Sequence, residues 1–519
     1  MTSQPILETR DLTKSFGSFT AVAGVSLEFA TGQIHAVLGE NGAGKSTLMK
    51  LLFGLHRPSA GEILLDGEKV SWRSSMNAIA RGLGMVQQHF SLVDTLSAID
   101  NIMLGAEVCR GPSLVGKLDR HEAIARLEKL LPSRSLAVPW DALVGTLTVG
   151  QKQRVEILKL LFRKSRILFL DEPTAVLTPT EIEELFSVLR ELKAQGRTIV
   201  LITHKINEVL HICDTYTVLR AGKMVTRGSV STVTIDHIVE SMIGRKLPDF
   251  SVDRHPTTSD MVLECLDVKE ESRAGRRASG DDGTLSRGKL NDISLKVHAG
   301  EIVGVAGVEG SGQSHLVEVL FGLRNVSGSV KILGKDVAAL NSRQIRDLGI
   351  GLVPEDRHHQ GLWLDESCFT NMVIGIEGRF LRGQIFQFRD LEKTTAEWAR
   401  DFDVRASSLD LPVGRLSGGN QQKVIFAREV SGRKPKLLVC HQPTRGVDLG
   451  AIDLIHRKLI ELRNSNLGVL VLSSELDELL KLCDRIYVFF EGRVVCEFAR
   501  ASFDRMRIGA AMTGVADGH

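Results

Sequence analysis

Short apolar runs recur along the chain: IHAVLG at 34–39, ILFLDE at 167–172 and TIVLITH at 198–204. Each is too short for an ordinary helix and is almost uninterrupted by polar residues. That pattern predicts strands buried on both faces of a parallel sheet. GKSTLMKLLFGL (44–55) and TEIEELFSVLRELKAQG (180–196) follow two such runs, carry apolar residues at helical spacing and end near glycine. The alternation predicts an α/β fold with a mainly parallel sheet, whose ligands collect at the carboxyl ends of the strands.

The same pattern is written twice. VSLEFATGQIHAVLGENGAGKS (25–46) and ISLKVHAGEIVGVAGVEGSGQS (293–314) align without a gap. Gly32 pairs with Gly300, Leu147 with Leu416, Asp171 with His441 and His204 with Ser474, always about 270 residues apart. Four blocks in one order at near-constant spacing indicate duplication of a whole domain, not a solenoid of short repeats. The boundaries read from this are a first domain over 1–228, a linker over 229–260, a second domain over 261–500 and a tail over 501–519. A Gly-, Ser- and charge-rich stretch at 269–289 reads as an exposed loop inserted in the second copy.

Composition narrows the function. The chain has 65 basic and 63 acidic residues, a formal charge of +2, which argues against nucleic acid as the main ligand. Its seven cysteines are scattered, with no CxxC, so neither a zinc site nor a disulfide framework is expected. The N-terminal residues lack a signal-peptide pattern, and no apolar run approaches the roughly 18–20 residues that span a bilayer. If the protein works at a membrane, another chain must cross it.

The chemistry lies at the strand ends. GENGAGKST fits GxxxxGK[ST] between a strand and a helix, as a P-loop requires. Its residues are Gly39, Glu40, Asn41, Gly42, Ala43, Gly44, Lys45, Ser46 and Thr47. The glycines let backbone N–H groups face phosphate oxygens, and the helix N-terminus adds positive potential. Lys45 suits the β- and γ-phosphates, and Ser46 suits Mg²⁺. ILFLDEP ends in two acids: Asp171 suits the Mg²⁺ shell, and Glu172 suits a general base that polarises water.

With these motifs in place the chain resembles an ATP-binding-cassette (ABC) ATPase over nearly its whole length. LTVGQ (147–151) and LSGGN (416–420) resemble the family's LSGGQ signature, departing from it at Thr148, Val149 and Asn420. The resemblance implies two tandem P-loop nucleotide-binding domains, each with a mainly parallel core sheet and a helical subdomain. It places Gln88 in the glutamine loop, near Mg²⁺, with Gln87 as the alternative register. It places His204 at the switch position and Phe16 against adenine, where the plainer reading is a core phenylalanine. It also implies that cassettes pair head to tail as an internal pseudo-dimer. Ser417, Gly418 and Gly419 would then meet the ATP held by the first P-loop.

The second copy departs from this pattern at six chemical positions. GVEGSGQSH keeps Gly307, Gly312 and Ser314 but has Gln313 for the lysine. Glu355 replaces the loop glutamine, His441 the Mg²⁺ aspartate, Gln442 the base and Ser474 the switch histidine, and no aromatic matches Phe16. A neutral amide cannot take a proton from water, so hydrolysis is expected at the first site only.

QQHFSLVDTLSAIDNIMLG, DEPTAVLTP, VPEDRHHQGL and QPTRGVDLGA are similar to the tandem-cassette subfamily that energises import of simple sugars and nucleosides, the nucleoside branch being nearest. That likeness implies an integral-membrane permease docked near 88–145 and from 355 onward, and an extracytoplasmic solute-binding protein. It implies a peripheral position on the cytoplasmic face of the inner membrane. The competing reading is a non-transport tandem cassette acting on ribosomes. Such proteins usually keep both P-loop lysines and carry a long charged helical linker, unlike Gln313 and the short linker here. A DNA-repair ATPase would want zinc cysteines or a long coiled coil.

Overall fold

The structure, a computed structural model, describes residues 5–40, 42–87, 90–110, 117–130, 136–174, 177–203, 205–244, 254–271, 289–383 and 385–514. The chain divides into two units, Met1–Leu247 and Pro248–His519.

In the first unit the runs 34–38, 167–171 and 198–203 are strands with every residue buried. They belong to a six-stranded sheet ordered Lys223–Ser229, Thr215–Arg220, Ile34–Leu38, Thr198–Thr203, Ile167–Asp171, Leu83–Val86. All neighbours are parallel except the antiparallel pair Thr215–Arg220 and Lys223–Ser229. The register sets Thr203 beside Leu38 and Ile202 beside Asp171. The residues that follow these strands therefore leave the sheet at one edge. A four-stranded antiparallel sheet, Phe19–Ala30, Pro5–Phe16, Ala60–Leu65 and Glu68–Val70, shares a core with the helix Lys45–Leu52 through Leu27, Phe29, Leu48, Met49 and Phe169. Helices Ala98–Met103, Arg120–Leu130 and Val149–Phe162 pack on one another as a helical subdomain.

The second unit repeats this layout. Its six strands run Arg493–Ala499, Arg485–Phe490, Ile302–Ala306, Gly468–Ser473, Leu437–His441, Ile350–Val353, the same order as their counterparts. Its four-stranded sheet is Ile293–His298, Met261–Glu270, Val326–Ile332 and Lys335–Asp336. The duplication seen in the sequence is thus a duplication of topology.

Three boundary readings differ from the structure. Residues 229–260 were expected to be linker, yet Ile235–Ile243 is a helix that buries Ile238 and Met242 against the first unit's Thr215–Arg220 strand. Ile235, Ile238 and Met242 lie at helical spacing, a stripe hidden within a polar stretch. From Arg254 the chain already belongs to the second unit, where Arg254 Nη1 pairs with Asp484 at 2.8 Å. The expected tail contains the helix Arg505–Met512, which buries Ile508, Ala511 and Met512. Of the 269–289 stretch, Lys269 and Glu270 are strand residues paired with Ser327 and Val326; positions 272–288 lie outside the described residues.

Candidate nucleotide site

The strand Ile34–Leu38 runs into the glycine loop, and the helix Lys45–Leu52 starts directly after it. Two glycines are there because nothing larger fits. A Cβ on Gly39 would lie 2.4 Å from the Leu219 carbonyl oxygen, and one on Gly44 2.4 Å from that of Ala21. Gly44 also caps the helix at φ 99°, in the left-handed region. Among the described residues no side chain caps this helix end, and helix N-terminal amides suit a phosphate. Lys45 is buried, and its Nζ donates to the carbonyls of Gly39 (2.7 Å) and Glu40 (3.0 Å). Burial pushes its ammonium below the usual range, while Glu172, Asp171 and Glu40 pull it back.

Asp171 is the last residue of its strand and is buried. Burial, and then the Glu172 carboxylate beside it, raise its pKa, opposed by a hydrogen bond from Ser46 and by Lys45. Glu172 follows at φ 47°, and its N–H donates to Ile202 O at 2.9 Å. Lys45, Ser46, Asp171 and Glu172 therefore form one electrostatic group at the sheet edge. The cradle, the lysine and the hydroxyl–carboxylate pair fit a nucleoside triphosphate with a divalent cation. Phe16 is 46% exposed at the end of its strand, with His56 edge-on at 5.5 Å and Lys14 Nζ 5.1 Å from its ring centre. That exposure favours a binding surface over a core position. Asn41, Gln88 and His204 lie outside the described residues.

Both signatures are helix N-termini. Thr148 caps the helix Val149–Phe162, forming a capping box with Gln151. Ser417 caps Gly418–Phe426, accepting from the Asn420 N–H. Asn420 Oδ1 accepts instead from the Arg405 N–H at 2.8 Å.

The second pocket has the same backbone and other chemistry. Gly312 caps the helix Gln313–Leu320 at φ 107°. Gln313 is buried, and its amide donates to Val305 O at 2.8 Å and Ser473 O at 3.3 Å. A Cβ on Gly307 would lie 3.0 Å from Phe489 O. Gln442 takes the place of Glu172 at φ 50°, and its Nε2 meets Ser474 Oγ at 3.2 Å. His441 Nε2 stands 3.5 Å from Glu355. Burial, and then Arg445, lower the His441 pKa to about 4, so the imidazole is neutral. Glu355 also pairs with Arg445 at 2.5 Å and accepts from Ser314 Oγ at 3.5 Å. Glu355, His441, Arg445 and Ser314 pair with one another, and the strand ends in His441 where the first pocket has Asp171. The set does not fit Mg²⁺ as the first one does.

Sequence reasoning missed one pair in each copy. Thr174 Oγ1 donates to Glu208 at 2.7 Å, and Thr444 Oγ1 to Glu478 at 2.8 Å, tying the loop after the acidic strand to the helix after the switch strand. The signal was present: both copies keep Thr and Glu at matching positions.

The ABC transporter family matches residues 22–175 and 290–445, more than half of the chain. The nucleoside import ATP-binding protein NupA of Lactococcus lactis subsp. cremoris is 41% identical over 99% of this chain and 99% of its own length. The ribose import ATP-binding protein RbsA of Rhodococcus jostii is 36% identical over 98% of each. Among solved structures, a complex of archaeal ribosomal stalk protein aP1 and archaeal ribosome recycling factor aABCE1 aligns with a TM-score of 0.63 at 17% identity, over 97% of this chain and 92% of that one. At that identity the likeness concerns the fold alone.

Proposed function

The chain belongs to the ABC transporter family, and from that membership we propose that the first cassette alone carries out the hydrolysis. The protein is the ATP-hydrolysing subunit of an importer, and its relatives of similar length energise uptake of nucleosides or simple sugars. One observation supports the one-site reading above all. Lys45, Asp171 and Glu172 stand at one sheet edge, while Gln313, His441 and Gln442 hold the corresponding places in the other cassette.

In this reading the glycine-loop amides and Lys45 bind and orient the phosphates. Ser46 and Asp171, with Gln88, would hold Mg²⁺, which supplies charge neutralisation when bound. Glu172 accepts the proton of the attacking water, and His204 contacts the γ-phosphate. Phe16 stacks on adenine. Ser417, Gly418 and Gly419, at the start of the second unit's signature helix, also bind nucleotide in this reading. The second pocket turns over little or no nucleotide.

No described helix is long and apolar enough to cross a membrane, so coupling needs a separate permease. We place the subunit at the cytoplasmic face of the inner membrane, with an extracytoplasmic binding protein delivering solute. Nucleosides are the preferred class, because the QHF segment and the more similar of the two relatives both point that way. The test is ATP turnover of the complex reconstituted with its permease and binding protein. Stimulation by nucleosides is expected. Stimulation by simple sugars alone would move the solute class, and stimulation by neither would refute the import assignment.

A further inference from the structure

The residues assigned above to Mg²⁺, Ser46, Asp171 and Gln88, have Ser314, His441 and Glu355 as counterparts in the second copy. Within the second unit these counterparts close on one another. Ser314 Oγ donates to Glu355 Oε2 at 3.5 Å, and His441 Nε2 stands 3.5 Å from the same oxygen. The other oxygen of that carboxylate, Oε1, pairs with Arg445 Nη1 at 2.5 Å. A single carboxylate therefore separates the guanidinium from a hydroxyl on the first turn of the helix Gln313–Leu320. A fixed cation stands beside this glycine loop.

Glu355 and Arg445 differ from the first copy as a pair, because Gln88 and Ala175 hold the matching positions. The charge balance differs with them. In the first pocket Glu172, Asp171 and Glu40 outnumber Lys45 and Lys50, and a divalent cation supplies positive charge when bound. In the second, Gln313 and Gln442 are uncharged, and the acid at the shell already has its cation. The phosphate cradle itself is kept. Gly310 and Gly312 lie at φ 87° and 107°, and among the described residues no side chain caps the helix that follows. Arg445 has a half-exposed side chain and gives Nη1 to Glu355. A guanidinium carries several further N–H donors, so donors remain for an anion.

We infer that the second pocket binds the phosphates of a nucleoside di- or triphosphate without a divalent cation, with Arg445 in the cation's role. The inference rests on the one-site reading above and adds what the other pocket does. A guanidinium keeps its charge throughout the physiological pH range and forks onto phosphate oxygens, so it neutralises them with no metal to lose. The loop amides cradle the same phosphates. Binding in this pocket is therefore indifferent to removal of Mg²⁺, whereas binding in the first pocket is not. The bound nucleotide is held without turnover, because the amide of Gln442 cannot take a proton from water.

The test measures ATP bound to the full chain by equilibrium dialysis, in a Glu172→Gln background, with Mg²⁺ and with EDTA. ATP is expected in both pockets with Mg²⁺ and in the second alone with EDTA. The EDTA-resistant ATP survives Lys45→Ala, which assigns it outside the first pocket. Its dissociation constant rises at least about tenfold in Arg445→Ala and Arg445→Gln, as loss of a hydrogen bond between charged groups does. It falls in Glu355→Gln, which releases the guanidinium. Absence of ATP in EDTA overturns the inference, as does EDTA-resistant ATP that is lost with Lys45 or indifferent to Arg445. Weaker binding in Glu355→Gln also overturns it, since the carboxylate would then be serving a metal. If Arg445→Ala does not fold, Arg445→Gln decides. Phosphate release from Glu172→Gln is followed on the same samples. Surviving turnover there refutes the one-site reading, whereas a dead Glu172→Gln that binds no ATP in EDTA refutes metal-free binding alone.

Discussion

Glu172 and Gln442 sit on the same turn at the end of the same strand in the two cassettes. Their φ angles are 47° and 50°, and their N–H groups donate to Ile202 and Leu472 at 2.9 and 2.8 Å. One side chain can accept a proton and the other cannot. A non-glycine residue in this region costs on the order of 1–3 kcal/mol, and the cost persists in the copy without a base. The strained turn therefore belongs to the strand-end architecture, and the proposed base is an occupant of it. The same holds one residue earlier. Asp171 and His441 are both buried strand ends, and burial shifts both pKa values toward the neutral form, upward for the acid and downward for the base. In the first pocket a bound cation would relieve that penalty. In the second a neutral imidazole beside Glu355 removes the need for one.

The most severe way to break this contrast is Glu172→Gln. It should abolish nearly all phosphate release, a loss of about 10²- to 10⁴-fold. Retention of half the wild-type rate would show that the second pocket also works.

A milder test uses pH. The folded pKa of His441 is about 4 and its reference value is 6.5. Between those values the unfolded chain binds a proton that the folded chain does not. The stability from neutral His441 is thus complete above the reference value and lost as pH falls toward the folded one. The expected loss is about 2 kcal/mol by about pH 5. His35, at about 4 in the first cassette, adds a similar loss there. Asp171, with its raised pKa, acts in the opposite sense, because the folded form keeps its proton to higher pH. Denaturant titrations across this range should show His441→Asn losing about half of the combined histidine dependence. An unchanged dependence would mean that His441 is not buried neutral.

The smallest effect sharpens the comparison at adenine. Phe16→Ala should raise the KM for ATP severalfold, corresponding to about 1 kcal/mol of lost stacking. An unchanged KM would return Phe16 to a purely structural role.

Much of this was legible in the linear pattern. The runs at 34–38, 167–171 and 198–203 are mostly apolar because the sheet buries both faces, so they read as strands. Lys45, Asp171 and Glu172 stand out in the sequence as candidates because phosphate chemistry favours a lysine in a glycine turn and acids at a strand end. The helices Ile235–Ile243 and Arg505–Met512 were missed, because short amphipathic stripes in polar stretches resemble linker and tail until a surface is there to bury them.

By itself the sequence determined the duplication, the parallel-sheet class, the glycine-loop motif and the loss of its lysine and strand-end acids in the twin. These are local or repeated properties, readable from residue type and spacing. The tertiary structure decided which polar residues find one another: Thr174 with Glu208, Glu355 with Arg445, Arg357 with Gln421. Those partners lie tens of residues apart along the chain, and only the packing of strands and helices brings their few donors and acceptors within hydrogen-bonding reach.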